Sequence, residues 1–173
     1  MESQRHLGLI GLWGIAGVVA ILVKAIVRLL PLVVELGTYA LAPVELAALI
    51  GWCTVMAVAE GWRGFHRQFS PRVVARALHL EATRRPRWVM ALAPLYCMGL
   101  VHATRRRLLT SWILTLGIVA LVIGVRQLAQ PWRGIVDAGV VVGLAIGTLS
   151  IAYHVVRAAR GHSLPVPPDV PAD

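Results

Sequence analysis

Ionisable side chains inside long apolar runs are the first place to look for chemistry, because each is costly in hydrocarbon and by default marks an ion or substrate path. Four qualify here: Lys24, Arg28, Glu45 and Asp137. Joined by Glu35, they could form a charge cluster that holds a small charged ligand, as in a small transporter or channel component. Helix-end electrostatics offers a plainer account. Cations suit the last turn of a helix and anions the first, and the sequence places Lys24 and Arg28 at the end of one apolar segment and Glu45 and Asp137 at the start of two others. At the expected midplane only Cys53, Thr54, Thr115 and Thr148 are polar. An ion-coupled transporter carries ionisable groups or unwound backbone at that depth, so this pattern weighs against transport.

Histidines raise the question of haem or metal. His6, His102 and His154 are expected near one face of the membrane, with His66 and His79 in the basic stretch, yet none pairs with another at i, i+3 or i+4 and no HExxH occurs. No metal site or cofactor is therefore assigned. Cys53 and Cys97 lie in apolar runs without CxxC spacing and read as small buried hydrophobes. GxxxxGK[ST], GxGxxG and GxSxG are absent. A lipid-modifying enzyme could still use Glu60 and His66 as base with neighbouring arginines as phosphate clamp; no residue is assigned a catalytic role.

Arginine is the most informative residue type. The chain carries 16 arginines and one lysine against eight acids, for a net charge of +9. Ten arginines fall between Glu60 and Arg107: Arg63, Arg67, Arg72, Arg76, Arg84, Arg85, Arg87, Arg105, Arg106 and Arg107. With Glu60 and Glu81 as the only acids there, this stretch holds +8 of the +9. Planar guanidinium forks suit phosphate, so these ten are the expected contacts to anionic phospholipid headgroups or an acidic partner. A GC-rich bacterial genome accounts for the arginine bias equally well. Ser70-Pro71 has the form of a helix start, serine as N-cap and proline first. Arg72, Arg76 and His79 then alternate with Val73, Val74, Ala77 and Leu80 as an amphipathic basic helix, flanked by Trp62, Phe65, Phe69 and Trp88 for the headgroup boundary. The arginines follow membrane-hugging segments rather than a soluble reading module, so nucleic acid is not an expected partner.

The elements that must carry these residues follow from composition. The 173 residues are 58% hydrophobic and 14% charged, with mean hydropathy +0.74, whereas soluble domains run near ~45–50% and ~25%. So small a sphere cannot hide that much apolar surface from water, and the chain reads as an integral membrane protein. Four spans are expected, at about 7–30, 43–60, 108–125 and 134–156, the first a retained anchor closed by Pro31. The apolar run Trp88 to Thr104 is read as a re-entrant or interfacial helix interrupted near Pro94; a fifth span would leave Arg105, Arg106 and Arg107 as a poor hairpin turn. From Gly161 a proline-rich tail is expected to be extended and disordered.

The resulting expectation is an all-α membrane protein: a bundle of four transmembrane helices, a cytoplasmic amphipathic helix and a re-entrant or interfacial helix, forming one domain over 1–160. By the positive-inside rule the arginine-rich stretch and both termini face the cytoplasm of a bacterial inner membrane. Gly139, Gly143 and Gly147 on the fourth span, and the less aligned Gly8, Gly11, Gly14 and Gly17 on the first, invite close helix approach, within the bundle or with another membrane subunit or second copy. The functional expectation is a non-catalytic accessory or assembly protein.

Overall fold

The computed structural model describes residues 7–83 and 86–170, and every regular element among them is a helix. In chain order these are α1 (Leu9–Leu36), α2 (Pro43–Met56), a wide-turn π-helical stretch (Ala57–Phe69), α3 (Ser70–Thr83), the short α4 (Arg87–Ala91) and α5 (Ala93–Cys97), α6 (Arg105–Val125) and α7 (Trp132–Ala159). α2, the π-helical stretch and α3 form one unbroken rod of 41 residues, Pro43–Thr83. At 1.5 Å per residue a ~30 Å hydrocarbon core needs about 20 residues. α1 and α7 have 28 each, α6 has 21, and each of the four rods contains an apolar window. Four helices are thus long and apolar enough to cross a membrane. The run Trp88 to Thr104 supplies no fifth, because α4 and α5 have five residues each and part at Leu92, two residues before Pro94.

Three proline signals behave differently from expectation. Pro31 lies inside α1, which continues to Leu36. Lys24 and Arg28 are therefore not in the last turns; they sit about 18 and 12 Å before the helix end. Ser70-Pro71 does not start a helix either, since the rod passes through it. The Ser70 N–H donates to Phe65 O, the i to i−5 pattern of a π-helix. Continued one residue, that ladder would require an N–H from Pro71 for the carbonyl of His66, and proline has none. His154 of α7 fills the gap, its Nε2 lying 3.1 Å from His66 O. Ser70 Oγ, free of capping duty, donates to Gly147 O at 3.4 Å. Finally, the proline-rich tail is extended but not loose: Leu164 and Val170 pack against the core cluster.

Glycine sets how closely the rods approach. A Cβ at Gly139 would collide with the Trp52 indole, one at Gly143 would lie 2.8 Å from a Glu60 carboxylate oxygen, and one at Gly147 2.6 Å from the Phe65 ring. The α7 stripe therefore receives three large side chains of the long rod, an intramolecular seam. The α1 glycines divide between two neighbours. Gly8 and Gly11 admit α3, where the Gly11 N–H donates to Glu81 Oε2 at 2.9 Å, satisfying one of the free donors at the start of α1. Gly14 and Gly17 admit Cys97 and Pro94 of α5.

Packing is uneven along the rods. α2 buries no residue, while α3 buries Val73, Val74, Ala77 and Leu80 with Ile15, Val18 and Ile151 in a cluster at the arginine-rich end. α6 stands apart from the other three rods. Leu114, Leu116, Val119 and Val122 are exposed, and nothing lies within 4 Å of a Cβ built on Gly117 or Gly124. The expected bundle of four is a packed set of three rods with a fourth beside it.

Replacing Gly147 with leucine overpacks the seam and is expected to cost about 1–3 kcal/mol. In thermal unfolding in mild detergent Gly147→Leu should melt well below the parent protein, whereas Gly117→Leu on the open side of α6 should melt unchanged.

Candidate functional site

The best-formed polar arrangement is built around Arg76. Its side chain is fully buried in the middle of α3, where a permanently charged guanidinium needs acceptors in place of water. It finds them in backbone carbonyls from two separate segments. Nε donates to Tyr96 O, and Nη2 to Val101 O and His102 O at 2.9 and 3.0 Å. Nη1 donates to Pro168 O and Asp169 O at 2.8 and 3.3 Å. The Tyr96 ring lies beneath the guanidinium, 4.2 Å from its carbon. The two described non-glycine residues with left-handed backbone, His102 (φ 52°) and Asp169 (φ 49°), are both held by this one arginine. Asp169 also pairs through its carboxylate with Arg72 Nε at 2.9 Å, and its carbonyl accepts from the Thr104 N–H at 3.1 Å.

The ten arginines expected to meet lipid or partner thus fall into three groups. Arg63, Arg67, Arg87, Arg105 and Arg106 are exposed. Arg72, Arg76 and Arg107 turn inward around Asp169, and Arg107 Nε is buried without a hydrogen-bond partner. Arg84 and Arg85 lie outside the described residues. The amphipathic-helix expectation fails at Arg76 for a physical reason: α5, the loop after it and the tail cover that face and offer carbonyls, so the side chain turns into protein rather than toward headgroups.

The charges expected as a polar cluster do not form one. Lys24 and Arg28 are exposed on α1. Glu45 is used by its own helix, its Oε2 accepting from the Ala42 N–H at 2.8 Å. Asp137 is buried near Arg133, with Nε 3.9 Å from Oδ2, and no ion pair joins any two of the four. Glu35 instead meets Gln130 Nε2 at 3.4 Å, and that amide also donates to Leu32 O, tying α1 to the turn before α7. Thr54, Thr115 and Thr148 each donate to the carbonyl four residues back in their own helix, leaving no free hydroxyl to line a path.

A second polar group sits on the π-helical stretch and α7. His66 Nδ1 lies 3.0 Å from Ser150 Oγ, with the His66 ring stacked on Trp62 at 4.5 Å. They border a cavity of about 230 Å³ lined also by Ile146, Leu149 and Tyr153. A hydroxyl against an imidazole is the beginning of nucleophile activation, though among the described residues no carboxylate orients the ring. His154 is committed to His66 O. Among the described residues no three His, Cys, Asp or Glu side chains gather as a metal site. Cys97 is a packing residue: burial pushes its thiol up to about 12, so it stays protonated and unreactive at neutral pH.

Sequence reasoning missed the Arg76 hub because its acceptors are backbone carbonyls, which carry no residue signature; the one hint was an arginine flanked by Val73, Val74 and Ala77. The chain matches no protein-family model, no curated protein and no solved structure at a significant level.

Arg76→Gln keeps a polar group but removes the charge and most donors, stranding carbonyls of the loop and tail. A loss of at least about 3 kcal/mol is expected, from hydrogen bonds to a charged group worth ~1.5–3 each. Thermal unfolding in detergent checks it, and a nitroxide at Ser163→Cys should gain mobility in the same variant.

Proposed function

We propose that this chain is a non-catalytic multi-pass membrane protein whose arginine-rich end holds anionic phospholipid headgroups and, through them, stations the protein beside its membrane partners. The observation that carries the reading is that Arg63, Arg67, Arg87, Arg105 and Arg106 remain exposed while Trp62 and Trp88 beside them are exposed as well. Guanidinium and indole together are the chemistry of the headgroup boundary. In this reading the arginine-rich end faces the cytoplasm of a bacterial inner membrane. Four crossings return both termini to that side.

A second reading, a lipid-modifying enzyme, is favoured by one observation, the His66–Ser150 pair on an apolar cavity. Its mark would be turnover of a phospholipid that disappears in both His66→Ala and Ser150→Ala. No observation favours transport.

Each arginine near an anionic surface is worth about 1 kcal/mol. Replacing the five exposed arginines by glutamine in the full chain should therefore cut the preference for phosphatidylglycerol over phosphatidylcholine by at least about tenfold, read by native mass spectrometry of the detergent-solubilised protein. An unchanged ratio would remove the basis of the reading. Reporter fusions at the two termini should both report the cytoplasmic side; opposite sides would refute the four-span topology.

A further inference from the structure

We infer that Arg72, Arg76 and Arg107 form a binding site for a terminal phosphate group, and that Asp169 of the chain's own tail occupies it as an internal stand-in. The inference deepens the headgroup reading above and shares its premise that arginines at this end meet phosphate.

The donors converge. Arg72 Nε and Arg76 Nη1 are the two guanidinium groups that the tail engages, at Asp169 Oδ2 and at the carbonyls of Pro168 and Asp169, and the Asp169 carbonyl also accepts from the Thr104 N–H. Were the tail to leave, both would lose their partners together. Arg107, whose charged neighbours are Arg72, Arg76 and Asp169, already has a buried Nε with none. Arg76 would stay in place, because Nε and Nη2 remain bound to Tyr96 O, Val101 O and His102 O. Arg76, fixed by protein, and Arg72 would then face the vacated volume, with Arg107 as their charged neighbour.

Charge decides which ligand fits. Among the described residues these three cations meet a single carboxylate, that of Asp169, which leaves two of their positive charges uncompensated there. A terminal phosphate carries nearly two negative charges at neutral pH and three acceptor oxygens, and matches guanidinium forks better than a carboxylate does. Residues 161–170 form no helix, and the tail's grip is Asp169, two carbonyls and the packing of Leu164 and Val170. Arg107 belongs to the first turn of α6, so the site opens at the arginine-rich end of a membrane-crossing helix. A phosphatidic acid headgroup and a free phosphate share the required chemistry.

The test uses the full-length chain in zwitterionic detergent and the isosteric substitution Asp169→Asn. Binding of dioctanoyl phosphatidic acid, dioctanoyl phosphatidylcholine and inorganic phosphate is measured for the parent, for D169N and for D169N carrying Arg72→Gln. D169N should bind phosphatidic acid about fivefold tighter than the parent, the factor one unit charge is worth near a surface, and Arg72→Gln should abolish the gain. A gain for inorganic phosphate as well assigns the site to phosphate in general; a gain for the lipid alone assigns it to the headgroup. Equal affinities of parent and D169N in both arms overturn the inference.

A second readout needs no change at the site. A nitroxide on Ser163→Cys should become mobile when phosphatidic acid, but not phosphatidylcholine, is added, and a label that stays immobile at saturating lipid also overturns it. The exposed-arginine reading fails separately, if the parent shows no preference for phosphatidylglycerol whatever Asp169→Asn does.

Discussion

A guanidinium cannot shed its charge, and this requirement organises one end of the molecule. Once Arg76 is enclosed, its five donors must be met without water, and they are met by carbonyls from Tyr96 of α5, from the loop after it and from the tail. Neither the loop nor the tail has regular structure of its own. The loop is drawn into a left-handed turn at His102 and the tail into another at Asp169, both at the carbonyls the arginine holds. The apolar cluster of Val73, Val74, Ala77 and Tyr96 encloses this charge rather than excluding it.

Solvent explains why that enclosure occurs at one end. Within hydrocarbon, apolar side chains gain little by leaving lipid for protein, so helix association relies on close backbone approach and a few hydrogen bonds. α2 accordingly buries nothing, and its union with α7 rests on Gly139 receiving Trp52, whose indole donates to Val136 O at 3.1 Å. Toward the arginine-rich end the helices carry more polar sequence, water competes, and the hydrophobic effect assembles α1, α3, α5 and α7 around a core.

The positions of the four long helices were legible because hydropathy over about 20 residues is a strong signal and lipid leaves few alternatives. The Gly139, Gly143, Gly147 stripe was also legible as a packing face, although nothing local said that Trp52, Glu60 and Phe65 would fill it. Punctuation misled. Proline at positions 31 and 71 normally limits a helix, but at 71 a widened ladder and a histidine from another helix repair the break, a tertiary remedy that no window of sequence contains. Arg76 was misassigned for a related reason. Its 3.6-residue phase placed it on a basic face, and only the later segments, 20 to 93 residues on, turned that face inward.

α6 shows what happens when neither device operates. It has no glycine filled by a neighbour and no buried seam along its apolar length. Its residence in a bilayer is then an insertion equilibrium alone, the first of the two stages by which helical membrane proteins form, with the association stage left unspent within this chain. The three packed rods keep their mutual geometry through side chains, whereas α6 is tied in near its arginine-bearing start, where buried Ser111 donates to Met98 O, and its apolar length beyond that leaves room for lateral adjustment.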